Sequence, residues 1–143
     1  MQLPAPEFSL KHLLQVTGGL VAAVWIQLPE ATQTLLIFMG LDMLSGILAG
    51  AKLKRLSSDT MYVGLLKKCL VLILVAAGHQ LKDLAHMEYN LGTAIALGYV
   101  VYEFLSIIEN AGRAGVPFPP VITQLLEKLN STNVLGRSKP NEG

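Results

Sequence analysis

The sequence predicts an all-α integral membrane protein: a small bundle of four transmembrane helices, or of three plus one interfacial helix, followed by a short C-terminal amphipathic helix. Hydrophobic residues make up 52% of the 143 residues and charged residues only 15%, whereas ordinary soluble domains hold about 25% charged residues. Four apolar runs have roughly the length of a membrane span, and short polar segments separate them. This composition disfavours a soluble enzyme and a disordered protein. A net charge of +1 gives no general attraction to nucleic acid.

The apolar runs predict helices in the order in which they occur. A bilayer core of ~30 Å takes ~20 helical residues, and the runs predict spans at about 12–28, 34–51, 61–81 and 91–109 within a bundle of residues 1–110. The first run is marginal, so it predicts either a fourth span or a helix lying in the membrane interface. Because residues 1–9 hold no Lys or Arg, we do not expect this run to be a cleaved signal peptide.

The basic residues predict the orientation of the bundle. The connections at 29–34, 52–60 and 82–90 are short enough for antiparallel neighbours. Outside the third apolar run, every Lys and Arg except Lys82 lies in the leader, in the 52–60 loop or after Ile108. Because basic residues favour the cytoplasmic side, the 52–60 loop and the C-terminus are predicted to be cytoplasmic with either three or four spans.

Residues 111–143 differ in character from the bundle. Prolines at 117, 119 and 120 interrupt the chain and favour a fresh helix start. Apolar residues then recur at helical spacing, which predicts an amphipathic helix of about ten residues: Val121, Ile122, Leu125, Leu126 and Leu129. Such a helix lies on the inner membrane face or against the 52–60 loop, or it serves as an oligomer contact or a regulator site. The polar stretch 130–143 is expected to be largely disordered.

Four charged residues fall inside the predicted spans away from their last residues: Asp42, Lys67, Lys68 and Glu103. A lone charge in hydrocarbon is costly, so such groups usually pair, face the bundle interior or line water. At ~1.5 Å per helical residue, Asp42 lies ~15 Å, Lys67 ~9 Å and Glu103 ~8 Å from the inner boundary, which predicts one polar layer. The layer is interpreted as a structural ion pair or as the lining of a water-filled lesion or pore in the assembled protein. Snorkelling to the surface is the third interpretation.

Small residues spaced four apart predict faces for close helix packing. The pairs lie in the second, first and fourth runs, in this order: Gly46 with Gly50, flanked by Ser45 with Ala49; Gly18 with Ala22 and Gly19 with Ala23; and Gly92 with Ala96. Packing within one subunit and packing between subunits explain these pairs equally well.

No convincing constellation for catalysis or for a cofactor occurs in the sequence. We therefore expect no enzymatic activity, no cofactor and no catalytic residue. In a continuing helix His79, Asp83 and His86 would share one face, as metal ligands do, but hydrated polar residues are usual at a span end, and no metal is expected. Cys69, the single cysteine, is expected to be a small core residue.

Several short motifs follow one another in a particular order. LDMLSG at 41–46 precedes KLKRLSS at 52–58 and GLLKK at 64–68, and YEFLSIIEN at 102–110 precedes AGVP at 114–117. In this order and spacing, residues 35–129 resemble the bacteriophage holin and toxin-secretion holin family. The positions that carry the resemblance include Ser57, Ser58, Gly64, Ser106, Glu109 and Asn110. Ser45 stands where the family often has Thr, and Tyr102 stands where Asn is usual.

The resemblance implies a phage lysis protein that acts without enzymatic chemistry. Holins oligomerise with copies of themselves in the bacterial host's inner membrane and open lesions. The lesions release or activate an endolysin for timed host lysis, without obligatory direct contact between the two proteins. The bilayer and further copies of the chain are the expected partners, and nucleic acid is not. A small oligomeric channel or transport subunit, an antiholin and an integral-membrane enzyme remain alternatives, and a toxin-export role is as compatible with the residues as a phage role.

Overall fold

The computed structural model describes residues 10–86 and 88–131, and these residues form helices and connecting turns without a β-strand. Each predicted apolar run lies in a separate helix, and a fifth helix follows the bundle. The helices are α1 (Leu10–Gln27), α2 (Glu30–Lys52), α3 (Ser58–Leu84), α4 (Leu91–Arg113) and α5 (Pro120–Ser131). The all-α prediction is confirmed.

Three of the helices are long and apolar enough to cross a membrane. They are α2 over 23 residues, α3 over the 25 residues of Ser58–Lys82, and α4 over 23 residues. Helix α1, with 18 residues, is not among these candidate spans and has no buried residue. Of the two arrangements that the sequence left open, the one with three spans plus one further helix therefore agrees with the candidate spans of the described residues.

Local signals in the sequence explain where the helices begin and end. The Ser57 hydroxyl accepts a hydrogen bond from the Thr60 amide at 3.4 Å, and the Asn90 side chain accepts one from the Thr93 amide at 3.1 Å. Both side chains satisfy amide groups that have no partner within the first turn of a helix. Lys54 has a φ of 53° just after α2, where the chain must leave the helical direction. The loop between α2 and α3 is therefore short and sharply turned.

Helix α4 packs against both α2 and α3, whereas α2 and α3 hardly touch each other. The apolar core lies where the N-terminal halves of α2 and α4 meet the C-terminal half of α3. It consists of Leu35, Met39, Val71, Val75 and Ala96. This half of the bundle is the one farther from the α2–α3 loop, so the half nearer the loop must be held by other contacts.

Helices α3 and α4 approach most closely where two glycines face each other. A Cβ on Gly92 would lie 2.6 Å from the His79 backbone nitrogen, and one on Gly78 would lie 2.7 Å from the Gly92 nitrogen. Any side chain larger than hydrogen would force the two backbones apart. Beside this crossing of α3 and α4, Thr32 Oγ1 of α2 lies 3.2 Å from His79 Nε2 of α3, so a polar contact joins α2 to α3 at this end.

The amphipathic helix predicted after the prolines is present as α5, with 12 residues. Val121 and Leu125 are exposed on it. The polar tail predicted for 130–143 lies almost wholly outside the described residues, which end at residue 131.

Candidate functional site

A lysine joins two carboxylates in the half of the bundle nearer the α2–α3 loop. Lys68 Nζ lies 3.0 Å from Asp42 Oδ2 and is also hydrogen-bonded to Glu103 Oε2. The three side chains come from α3, α2 and α4 and are 13%, 15% and 6% exposed, respectively. The cluster Asp42–Lys68–Glu103 therefore connects all three candidate spans through one ammonium group.

An asparagine and a serine complete the surroundings of Asp42. Asn110 Nδ2 donates to Asp42 Oδ1 at 3.1 Å and lies 3.1 Å from Ser45 Oγ, to which it also donates. The Ser45 hydroxyl in turn donates to the Asp42 backbone carbonyl at 2.9 Å. Among the described residues, every buried side-chain nitrogen or oxygen has a hydrogen-bond partner. The polar network is thus satisfied, as a network in a low-dielectric interior must be to persist.

Helical periodicity explains why these side chains meet. Glu103 and Asn110 lie seven residues apart on α4, so they share one face of the helix, and both are buried there. Asp42 and Ser45 lie three residues apart on α2 and likewise share a face. The position of each carboxylate is therefore set by its own helix, and Lys68 of α3 pairs with both.

The structure separates the two adjacent lysines that the sequence placed in the polar layer. Lys68 makes both ion pairs, whereas Lys67 is exposed. Successive helical residues point about 100° apart, so only one of the two can face α2 and α4. Lys67 therefore takes no part in these ion pairs, and a place for it in the lining of a pore stays a prediction.

Two clefts flank the charged cluster. One of about 250 Å³ has Asp42, Lys68 and Asn110 in its wall. The other, of about 610 Å³, has Asp42, Lys68 and Glu103 in its wall, together with Lys67. Because α2 and α3 hardly touch each other, the ion pair between Lys68 and Asp42 is a direct link between these two helices.

The cluster carries a formal charge of −1, from two carboxylates and one ammonium group. Burying such charges is expensive unless they are paired and hydrogen-bonded, and removing one partner strands the others. Such an arrangement can hold three helices in register, and it can become hydrated if the helices separate. It offers no nucleophile with an activating base.

Most of the small residues singled out in the sequence pack inside the subunit in α2 and α4. Ala49, Gly50, Gly92 and Ala96 are buried, and a Cβ on Gly46 would lie 3.5 Å from Asn110 Nδ2. Gly50 packs against Leu56 of the adjoining loop rather than against another helix. In α1 the small residues are exposed and a Cβ on Gly18 or Gly19 would meet no atom within 4 Å: Gly18, Gly19, Ala22 and Ala23.

The residues that carry the family resemblance have several structural roles. Ser57 caps α3, and Ser58 is the first residue of that helix. Ser106 is half-buried in the wall of the smaller cleft, Gly64 lines both clefts, and Glu109 is half-buried beside Asn110. Tyr102, at the position where Asn is usual, is exposed and contacts Tyr99 edge-on, with ring centroids 6.4 Å apart. Of these residues, Asn110 contacts the charged cluster, through its hydrogen bond to Asp42.

One condition stated for the histidines is not met, and one minor expectation, that for Cys69, is wrong. Helix α3 ends at Leu84, and His86 follows with a φ of 48°. The continuous helical face that would align His86 with His79 is therefore absent. Cys69 is exposed within the subunit, so it is not a core residue of the bundle.

The charged cluster and the glycine crossing were only partly visible in the sequence. The role of Gly78 at the close approach of α3 and α4 was not predicted, because this glycine has no small residue four positions away on its own helix. The contact between Thr32 and His79 joins residues 47 positions apart, and no local pattern signals it. The number of residues between each carboxylate and the end of its apolar run was the useful signal, since it placed Asp42 and Glu103 in one layer.

Comparisons with known proteins agree with the resemblance. A model of the Bacteriophage holin family matches residues 19–131. The chain is similar to an uncharacterized protein of Clostridium perfringens strain 13, with 38% identity over 101 residues that cover 70% of this chain and 75% of that protein. It is similar to an uncharacterized protein of Listeria innocua, with 35% identity over 120 residues that cover 84% and 86% of the two chains.

A phage protein is also among the relatives. A protein of Bacillus phage phi105 named "Probable holin" is 30% identical over 99 residues, which cover 69% of this chain and 73% of the phage protein. No solved structure matches the chain. The family model covers most of the sequence, including all three candidate spans, and the chain therefore belongs to the bacteriophage holin family.

Proposed function

We propose that the protein is a holin that oligomerises in the bacterial inner membrane and opens lesions through which an endolysin reaches or is activated at the cell wall. The observation that carries the mechanism is the buried cluster Asp42–Lys68–Glu103, which ties three spans together. Family membership and the "Probable holin" relative support the class of activity.

In the proposed resting state, the cluster keeps α3 against α2 and α4. The apolar core holds the other half of α3, so the half nearer the loop depends on Lys68. When subunits cluster, α3 moves away at this half, and the charged side chains turn toward water shared between subunits. Hydration then replaces the ion pairs, which removes the cost of leaving charges unpaired in hydrocarbon.

Membrane potential provides a trigger in this scheme. Moving one elementary charge across the full potential is worth ~2.3 kcal/mol per 100 mV. The cluster has a formal charge of −1, so any displacement of it along the membrane normal couples the resting state to the potential. In a membrane that is negative inside, the potential opposes movement of this negative charge toward the cytoplasmic side. If the cluster moves in that direction on opening, collapse of the potential favours the hydrated state.

The orientation in this proposal follows the basic residues. Lys52, Lys54 and Arg55 lie at the α2–α3 loop, and Arg113 ends α4. Basic residues favour the cytoplasmic side. The loop and the C-terminus then lie on the cytoplasmic side, and the charged cluster lies in the inner half of the membrane.

The function is tested by controlled expression in a bacterium, with and without a cytoplasmic muralytic enzyme that lacks an export signal. Turbidity and membrane potential are followed together. The proposal predicts an abrupt loss of potential after a delay, with lysis only when the enzyme is present. Expression of the enzyme alone is the control.

Other outcomes separate the alternative functions. Loss of potential without lysis, together with discrete conductances in a planar bilayer, would identify a channel rather than a lesion that passes protein. Slow growth with the potential intact would contradict the lesion and favour an antiholin. Lysis from this chain without the muralytic enzyme would contradict the division of roles between the two proteins.

A further inference from the structure

The smaller of the two clefts extends from the α2–α3 loop into the membrane-spanning part of the bundle. Its volume is about 250 Å³, and residues of α2, α3, α4 and the loop line it. Arg55 precedes α3 and Arg113 ends α4, whereas Lys68 lies ten residues into α3. At ~1.5 Å per helical residue, the cleft spans ~15 Å between the loop and the charged cluster.

The chemistry of the cleft changes along its length. The end at the loop contains two guanidinium groups, from Arg55 and Arg113, and two hydroxyl groups, from Ser57 and Thr60. Farther into the bundle the walls are apolar, until they reach Asp42 and Lys68 of the charged cluster: Met43, Ile47, Met61 and Leu65. The site is thus polar and cationic at the membrane boundary and apolar below it.

The charges that line this cleft do not balance. Three cationic side chains, Arg55, Arg113 and Lys68, stand against one carboxylate, Asp42. Lys68 and Asp42 are paired with each other at 3.0 Å, so the excess positive charge lies with the two arginines at the loop. Arg113 Nη1 donates to Asn110 Oδ1 at 3.4 Å, which leaves the other N–H groups of its guanidinium for an anion. An anion at that end would meet two planar guanidinium groups, whose paired N–H donors match the oxygens of a phosphate.

We propose that this cleft binds the phosphate-bearing headgroup of an anionic phospholipid, with the first methylene groups of an acyl chain against the apolar walls. A basic pocket between transmembrane helices at the membrane boundary is the kind of site that holds such headgroups. At about 250 Å³, the cleft is smaller than the ~300–1,000 Å³ usual for drug-sized ligands. It therefore has room for a headgroup and a short length of chain, and the rest of the lipid stays in the bilayer.

The proposal goes beyond lesion formation and does not depend on it. A bound lipid would contact α2, α3 and α4 on one side of the cluster Asp42–Lys68–Glu103. Because a ligand that binds one conformation favours that conformation by mass action, an anionic lipid would stabilise the packed bundle. The lipid composition of the membrane would then influence when the bundle opens.

The test is native mass spectrometry of the full chain in a zwitterionic detergent. The protein is titrated with phosphatidylglycerol, with phosphatidylcholine and with inorganic phosphate in separate series. We expect one retained phosphatidylglycerol per chain and at least tenfold weaker retention of phosphatidylcholine. Arg55→Gln and Arg113→Gln are each expected to weaken phosphatidylglycerol about tenfold, which is equivalent to about 1.4 kcal/mol.

Lys54→Gln is the matched control, because it removes one positive charge from the same loop and Lys54 does not line the cleft. Its lipid affinity should equal that of the unsubstituted chain. If the Lys54 and Arg55 variants lose equal affinity for phosphatidylglycerol, the loss comes from net charge alone, and the proposed site is wrong. Binding of inorganic phosphate without preference for phosphatidylglycerol would overturn the lipid as the source of the phosphate.

A conservative variant distinguishes a loss of lipid binding from misfolding of the protein. Arg55→Lys keeps the charge but loses the two-pronged geometry of the guanidinium, so an intermediate loss of phosphatidylglycerol is expected. Far-ultraviolet circular dichroism checks that each variant remains helical. Unchanged affinity in both Arg55→Lys and Arg113→Gln, in helical protein, would contradict the proposal.

Discussion

Replacing Lys68 by methionine tests the contact that holds the three spans together at the end near the α2–α3 loop. Methionine keeps most of the length and the apolar stem of lysine but removes the ammonium group. Asp42 and Glu103 would then be left as two carboxylates facing each other, 15% and 6% exposed, without a counter-charge. Lys67→Met is the matched control, because Lys67 is the adjacent lysine and is exposed.

The expected magnitude follows from the geometry. At an effective dielectric constant of 20, opposite unit charges 3.0 Å apart attract by about 5.5 kcal/mol. Desolvation offsets much of this gross attraction, but removing one partner of a buried pair costs about 3–5 kcal/mol because the other charge is stranded. We therefore expect Lys68→Met to lower the free energy of unfolding by about 3–5 kcal/mol and Lys67→Met to change it by less than about 0.5 kcal/mol.

The assay is reversible unfolding in detergent micelles with increasing denaturant, followed by circular dichroism. The triple variant Asp42→Asn, Lys68→Met, Glu103→Gln removes all three charges. It should recover much of the loss, since replacing a complete ion cluster by uncharged groups is often nearly neutral. Equal stability of the Lys68→Met and Lys67→Met variants would refute the reasoning, and so would a triple variant less stable than Lys68→Met.

Three further predictions concern packing and local contacts, each measured as the free energy of unfolding in micelles. Gly92→Ala should destabilise by about 1–3 kcal/mol, because its Cβ would lie 2.6 Å from a backbone nitrogen of α3; Gly98→Ala, with open space around it, should be neutral or stabilising by up to about 1 kcal/mol, and equal effects would contradict the close crossing. Thr32→Val should cost about 0.5–1.5 kcal/mol through its lost hydrogen bond to a histidine, and an unchanged value would exclude that bond. Lys52→Met should cost about 0.3–1 kcal/mol, because the Lys52 ammonium donates to the carbonyl of Ala114, the C-cap residue of α4. Lys54→Met should cost less, and the reverse order would contradict this contact at the C-terminus of α4.

The fold was predictable from the sequence because the membrane imposes simple requirements on it. Long apolar runs in a chain with few charges must form helices, since lipid offers no hydrogen bonds to an open backbone. Three of the runs form helices of membrane-spanning length. The first run was ambiguous because two polar residues, Lys11 and His12, stand at its start. The helix it forms has 18 residues, is the shortest of the first four helices and is not among the candidate spans of the described residues.

The charged cluster was only partly predictable. Depth along the helix axis follows from counting residues, so the sequence placed Asp42 and Glu103 in one layer. Rotation about the axis does not follow from counting, and it decides whether Lys67 or Lys68 faces the carboxylates. Apart from these two adjacent lysines, residues 61–78 of α3 are apolar or small on every face, so no amphipathic pattern indicates which face packs against α4.

The contacts between helices were the hardest to predict. Gly78 and Gly92 belong to different helices and are 14 positions apart in the sequence, so their meeting depends on how α3 and α4 cross. The role of Asn110 depends in the same way on its distance from Asp42. Such pairings depend on the tertiary arrangement, and neither hydropathy nor spacing within one helix contains that information.

The central claim is that Lys68 holds the bundle in its resting state and that release of this contact opens the membrane. The most direct test is the onset of lysis for Lys68→Met and Lys67→Met, expressed to equal amounts in the membrane beside a muralytic enzyme without an export signal. We expect lysis to begin clearly earlier with Lys68→Met than with Lys67→Met, because its resting state is weakened while both carboxylates remain to be hydrated. Lysis by both variants at the same time, or no lysis at all from Lys68→Met, would contradict it.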